Sequence, residues 1–365
     1  MGGKIMNFDR NYSINLIKEL CCANGVSGFE DEVIEVGKNY TRDFADIEEN
    51  HLRNLYIKNR KNKGNRPVVM VDAHSDELGL MVQHINNNGT LSFITIGGWV
   101  SSSLPSSRFR ILNDDGEYIK ATVAAKPPHF MSGDERTKAP VVSELVLDVG
   151  ATSKEELLKD YKISVGAPCV PDVGFEYNEK NGVVMTKALD DRIACAAVVE
   201  IMRAIKDLDL EVDVVGTFTA QEEIGERGAL SAVKKIHPDV AIVLEGTPSD
   251  DTFMSSEKAQ AIMHGGVQVR YFDRSMVNNP RFNKFAQNIA KENNIKTQRA
   301  VRSGGSTNGG IIHQENEGIP CIVLGVPTRY AHSHHGYCAM DDYENTVSMV
   351  VEILKALKPQ DIESF

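Results

Sequence analysis

Short apolar runs alternate with helix-spaced apolar residues on both sides of residues 81–174, a stretch with a different texture, and this interrupted alternation constrains the fold more than any other feature. In the N-terminal part, Ile14, Leu16, Ile17 and Leu20 ahead of Gly25, and then Val33, Ile34, Tyr40 and Phe44, recur at helical spacing and predict two helices. The run from Pro67 to Val71 is apolar and flanked by polar residues, which suits a strand buried on both faces of a parallel sheet. From about residue 175 the alternation resumes. It predicts a helix over 192–205, a strand over 212–219, a helix over 224–235 and a strand over 240–244. A helix near 280–292, a strand over 321–326 and a C-terminal helix through Val347, Val350, Val351, Leu354 and Leu357 follow. Such alternation predicts an α/β fold with a mostly parallel sheet and helices on both faces.

The interrupting stretch reads as a small β-rich module. Its strand-like runs are broken by turn signals at Asn86-Asn87-Asn88-Gly89, Gly97-Gly98 and Asn113-Asp114-Asp115-Gly116, the last predicting a hairpin between 109–111 and 118–120. One short helix is expected after Ser153, where Ser153 and Glu156 have capping-box spacing ahead of Leu157 and Leu158. Residues 1–80 and 175–365 therefore form one discontinuous α/β domain, and 81–174 are inserted into it.

Composition narrows the function. With 40 Lys and Arg against 51 Asp and Glu, the net charge is −11 and no basic block occurs, which argues against nucleic acid or an anionic membrane as partner. No apolar run approaches the roughly 18 residues of a membrane span, and residues 1–10 carry charge without a signal-peptide core. The six cysteines form no CxxC pair and sit mostly in apolar segments, as expected of reduced core thiols in a cytoplasmic protein.

In an open α/β sheet the working site lies beyond the carboxyl ends of the strands. The residues found there are all of metal-ligand type: His74 and Asp76, Asp190 and Asp191, Glu222 and Glu223, Glu245, and His332. Singly, each is an ordinary loop residue or helix cap. Their recurrence at successive strand ends, with two adjacent acidic pairs, points instead to a shared cation site. Two histidines with several carboxylates suit a pair of borderline divalent ions such as zinc, cobalt or manganese, and the absence of thiolates disfavours a purely structural zinc site. Adjacent carboxylates have a use there, since one can bind metal while its neighbour moves a proton. Asp76, two residues after His74, is placed to accept a hydrogen bond from the ring nitrogen turned away from the metal.

These motifs resemble the M42 family of dinuclear metallo-aminopeptidases, which includes the TET particles. The matching segments are Ala73-His74-Ser75-Asp76-Glu77-Leu78-Gly79, Ala188-Leu189-Asp190-Asp191-Arg192, Gln221-Glu222-Glu223-Ile224-Gly225-Glu226-Arg227-Gly228-Ala229, Leu244-Glu245-Gly246 and Arg329-Tyr330-Ala331-His332-Ser333. Ile96-Gly97-Gly98-Trp99 and Lys126-Pro127-Pro128-His129 resemble the family's inserted domain. The resemblance implies a dinuclear zinc peptidase fold with a PDZ-like insertion that takes part in oligomer contacts. It implies one metal on His74, Asp190 and Glu245, a second on Asp190, Glu223 and His332, Glu222 as general base toward a water shared by the two metals, and Asp76 orienting His74. It also implies a homo-oligomer, for which the TET dodecamer is one size. Three positions depart from the family pattern: Glu245 where many members have Asp, Asn308 where Asp is usual, and His334-His335-Gly336 where a proline-containing segment is more common.

The expected function is removal of N-terminal residues from peptides with a free α-amine. Two alternatives stand beside it: a related dinuclear amidohydrolase acting as carboxypeptidase or acylase, and a non-catalytic metal-binding interaction protein. The insertion between Asp76 and Asp190 favours the aminopeptidase over the first, and the intact Glu222 and ligand set over the second. Ser303 and Ser306 lack a nucleophile-elbow context, and the glycines from Gly304 to Gly310 lack dinucleotide-site spacing. His264 and His313 read as structural or surface residues, and Arg302, beside the glycine-rich loop, is a candidate partner for an acidic substrate side chain. The preferred N-terminal residue is not encoded in any motif.

Overall fold

A computed structural model describes residues 8–365, so most of the charged N-terminal segment lies outside the described residues. The strand predicted at Pro67 runs as Val68–His74 and occupies the middle of an eleven-stranded sheet. Asp213–Thr219 lies parallel on one side of it, Val240–Pro248 parallel on the other, and Cys321–Arg329 parallel beyond that. Along these strands successive side chains enter opposite layers, as the two-residue period requires. Val69, Val71, Ile242 and Leu244 join one core with the helices Arg10–Cys22, Leu189–Ile205 and Met340–Ala356, whereas Met70, Ala241 and Val243 join another beneath Arg227–Ile236.

The expectation of a mostly parallel sheet needs correction. The parallel block is four strands wide, and the flanks are antiparallel: Leu55–Asn59 and Ala45–Glu49 on one side, Gly336–Ala339, Val183–Thr186 and Glu176–Asn178 on the other. Val267–Phe272 also pairs antiparallel with Cys321–Arg329 and carries Thr297–Val301. The sheet is mixed. These flanking strands run only three to six residues, too short for their apolar residues to stand out as a run.

Element ends moved in ways that matter for the site. The predicted strand near Val240 extends through Pro248, so Glu245 lies within it, and His74 is the last residue of its strand. The helix expected from Ile224 starts at Arg227, because Gln221 and Glu226 both adopt positive φ and keep 221–226 in an irregular loop. Helical geometry after the Asp190–Asp191 pair begins at Arg192 as read, since both aspartates have non-helical dihedrals.

The insertion closes into a six-stranded barrel of Gly79–Ile85, Thr90–Ile96, Val146–Asp148, Tyr118–Ala124, Arg108–Leu112 and Pro168–Pro171. It has its own core of Leu80, Val82, Leu91, Phe93, Phe109, Ile111, Val123, Leu147 and Leu157. The hairpin through Asn113–Gly116 forms with Phe109 opposite Ala121, and Ser153 caps the short helix Lys154–Lys159 by accepting from the Glu156 amide. All six cysteines are free, and five are buried. Among the described residues no helix is long and apolar enough to cross a membrane.

Where barrel and sheet meet, a buried cation cluster locks the N-terminal helices onto the site. The Arg192 guanidinium donates to the carbonyls of Ser75 (2.6 Å), Leu20 (2.8 Å), Gly25 (3.0 Å) and Ala23 (3.3 Å) and lies 3.4 Å from Glu77. The Lys187 ammonium sits 2.5 Å from the same Glu77 oxygen, with no exposure of its side chain. Removing Arg192 would leave buried carbonyls without donors and Glu77 short of a cation. Arg192→Leu is therefore expected to lower stability by at least about 3 kcal/mol, read as a shift of the urea unfolding midpoint.

Candidate metal centre

Five predicted donors converge at the carboxyl ends of the parallel strands. Asp190 lies between the two histidines: its Oδ1 is 3.1 Å from His74 Nε2 and its Oδ2 is 3.4 Å from His332 Nε2. The Glu223 carboxylate is 3.6 Å from His332 Nε2. Donor atoms of His74, Asp190 and Glu223 lie within 4.8 Å of one another, as do those of His74, Asp191 and Glu245. Four donors about 2.0 to 2.1 Å from a tetrahedral ion are themselves about 3.3 Å apart, which matches the His74–Asp190 and His332–Asp190 spacings. Glu222 approaches His74 Nε2 at 3.9 Å and faces the same space without joining either group.

Local backbone chemistry explains the convergence. The Asp76 carboxylate accepts from Ser27 Oγ (2.6 Å) and from the amides of Glu222 (2.9 Å) and Glu223 (3.2 Å), and it stands 3.3 Å from His74 Nδ1. One buried carboxylate thus faces the His74 ring and holds the loop that presents both glutamates. Asp191, joined to Asp190 by a cis peptide bond, accepts from the His74 amide (3.0 Å) and the Gly246 amide (2.8 Å), tying the end of one strand to its neighbour. Gly246 admits this turn because a Cβ there would meet the Leu189 carbonyl oxygen at 2.5 Å.

The electrostatics are those of a site with too many acids. Burial and the Asp190 charge push Glu245 up to about 8 and Glu223 up to about 7. Burial also holds Glu222 well above the carboxylate range, with His74 opposing and Glu245 and Glu223 adding to it, and raises Asp191 beside Glu245. Asp190 moves the other way, since the two histidines outweigh its desolvation. His332, despite desolvation, is raised to about 9 by Asp190 and Glu223. Buried Oε1 atoms of Glu223 and Glu245 have no hydrogen-bond partner. Unpartnered buried oxygens amid mutually repelling carboxylates are what divalent cations would neutralise, and the residues present fit such ions.

The centre opens into a cavity of about 510 Å³ that also touches Gly98, Glu226, Pro248, Arg270, Arg302 and the Gly304–Ser306 turn. Arg302 is paired with Asp250 (2.8 Å) and the Pro248 carbonyl. Asn308 lies behind this wall, donating to Asp72 (2.8 Å) and Thr219 Oγ1 (2.7 Å). Of the remaining histidines, His264 pairs with Asp341, His313 bonds the Gly309 carbonyl, His335 is exposed, and His334 contacts the barrel. Sequence reading missed the strand-tying role of Asp191, Ser27 behind Asp76, and Arg270 in the cavity wall. Ser27 and Arg270 lie far along the chain from any ligand motif, so no local spacing marks them.

Ions that bind only the folded centre must stabilise it by mass action. Stripping the protein with a chelator is expected to lower its melting temperature, and restoring metal at about 1,000 times its Kd should return about 4 kcal/mol, measured by calorimetry.

The comparisons agree with this geometry. The family model described as M42 glutamyl aminopeptidase matches residues 54–349. A lysyl aminopeptidase of Pyrococcus furiosus is 31% identical over 95% of this chain and 98% of its own. The crystal structure of a TET aminopeptidase from the marine sediment archaeon Thaumarchaeota archaeon SCGC AB-539-E09 superposes with a TM-score of 0.92 at 36% identity, covering 97% of this chain and 99% of that one. Pyrococcus horikoshii TET1 peptidase, described as assembling into a tetrahedron or a large octahedral shell, superposes with a TM-score of 0.84 at 26% identity, covering 94% and 100%. With a family model spanning most of its length, donors converging at the strand ends and a barrel inserted between them, the chain belongs to the M42 glutamyl aminopeptidase family.

Proposed function

We propose that this protein is a metal-dependent aminopeptidase that hydrolyses the first peptide bond of substrates with a free α-amine. His74, Asp190 and Glu245 would hold one divalent ion and Asp190, Glu223 and His332 the other, with Asp190 shared. Asp191 is the aspartate whose oxygen groups with His74 and Glu245, but both its oxygens already accept backbone amides, which favours a positioning role and leaves Asp190 as the proposed ligand. Two ions held there supply Lewis acidity that polarises the scissile carbonyl and acidifies the attacking water. Zinc and cobalt suit this nitrogen and oxygen set best, with manganese a further candidate.

The observation that carries the proton-transfer assignment is that Glu222 faces the same space, 3.9 Å from His74 Nε2, while its neighbour Glu223 groups with His74 and Asp190. Its carboxylate takes the proton of the attacking water and returns it to the leaving amine. Asp76 orients His74 and, through the amides of Glu222 and Glu223, keeps base and ligand in register. The cavity wall of Arg270, Arg302 and Glu226 receives the substrate side chain; the relatives' names span glutamyl and lysyl preference, so the choice rests on this wall. The test is a panel of amino-acyl anilides, free and N-acetylated: the free substrates are expected to be cleaved and the acetylated ones not, whereas equal rates would favour an acylase.

The two adjacent glutamates separate in mutants. Glu222→Gln keeps shape but cannot accept the proton, so kcat should fall by about a hundredfold or more with both ions retained. Glu223→Gln replaces an anionic oxygen with a neutral one, so elemental analysis should find the second ion depleted, and excess metal should restore part of the activity. Metal lost from the first variant and kept in the second would reverse the assignment.

We further infer that residues 1–80 and 175–365 form the catalytic unit and that the insertion 81–174, PDZ-like by resemblance, serves oligomerisation. Phe130 and Val141 expose apolar surface on it, and the archaeal peptidase at 26% identity forms closed shells. Light scattering should then show a particle several times the 40.2 kDa chain, with a dodecamer as one such size. The free, mostly buried cysteines support a reducing, cytoplasmic setting.

A further inference from the structure

We infer that the inserted barrel is itself part of the metal centre: the Gly98 carbonyl orients His332, so that Gly98 is a positioning residue for the second ion. This rests on the two-ion reading above. His332 Nδ1 lies 3.2 Å from the Gly98 carbonyl oxygen. A carbonyl can only accept, so this contact calls for a proton on Nδ1 and leaves Nε2, turned toward Asp190 and Glu223, as the atom that would bind an ion. The two histidines are thus oriented from different units. His74 has the Asp76 carboxylate of its own domain behind it, and His332 has a backbone carbonyl of the insertion.

The loop that carries His332 requires such support. Tyr330 and His332 both have positive φ, at 62° and 59°, a conformation that persists in non-glycine residues only where surroundings impose it. The barrel grips the loop at a second point: His334 Nε2 donates to the Arg108 carbonyl at 2.6 Å, and its ring packs edge-on against Phe109 at 5.8 Å. Phe109 in turn packs on Trp99, whose Nε1 donates to the Gly79 carbonyl and so fixes the Gly97–Gly98 corner. That corner leaves no room for a side chain. A Cβ on Gly98 would stand 2.8 Å from His332 Nδ1, and one on Gly97 3.2 Å from Glu223 Oε2, so the barrel touches both ligands proposed for the second ion and peculiar to it.

The experiment is a calorimetric titration of Zn²⁺ into the chelator-stripped full chain, with bound metal counted by elemental analysis. The unmodified protein should take two ions. Gly98→Ala should displace the His332 ring and weaken one ion by about ten- to a hundredfold while the other binds as before. His334→Ala releases the same loop without pushing on His332 and should weaken the same ion, so a Gly98 variant that fails to fold leaves the question decided by His334. Unchanged titrations in both variants, or equal weakening of both ions, would overturn the tie between barrel and site. An unmodified chain that takes fewer than two ions would overturn the reading beneath it as well.

Discussion

The organisation of this protein depends on the Asp76 carboxylate. It sits where the central strand ends and the barrel begins, fully buried, accepts from Ser27 and the amides of Glu222 and Glu223, and stands 3.3 Å from His74 Nδ1. Three chain segments therefore meet at one anion. A buried carboxylate is costly unless its lone pairs are used, so satisfying Asp76 and assembling the site are the same event.

Charge management follows from that arrangement. The centre gathers acids that burial and mutual repulsion drive toward neutrality, and the protein sets its compensating cations close by but not within it. Arg192 and Lys187 serve Glu77 and the carbonyls of the N-terminal turn, and Arg270 and Arg302 are held by Asp273 and Asp250. None of these cations is bonded to the donors themselves, which leaves the negative potential for ions.

The insertion is joined to the site at both ends of its function. Chain connectivity places Gly79 directly after the Asp76-Glu77-Leu78 segment, and the Gly98 corner returns to touch His332. A unit with its own closed core can thus be rigid and still contribute a single carbonyl where the chemistry requires it.

Strand-end donors were legible because a parallel strand buried on both faces writes a continuous apolar run and the next polar residue must lie at its carboxyl end. His74, Asp190, Glu223, Glu245 and His332 could all be read in this way, and the family resemblance paired them. The flanking antiparallel strands were not legible, since strands of three to six residues are too short to stand out as such a run, and the sheet was taken as more parallel than it is. Adjacency in sequence by itself did not separate Glu222 from Glu223; the family resemblance assigned their roles. Sequence alone determined the alternation, the insertion and the candidate donors, because these follow from local periodicity and residue chemistry. Tertiary structure alone decided that Ser27 meets Asp76, that Asp191 ties two neighbouring strands, and that Gly98 meets His332, because each joins segments whose approach is set by packing and leaves no trace in local spacing.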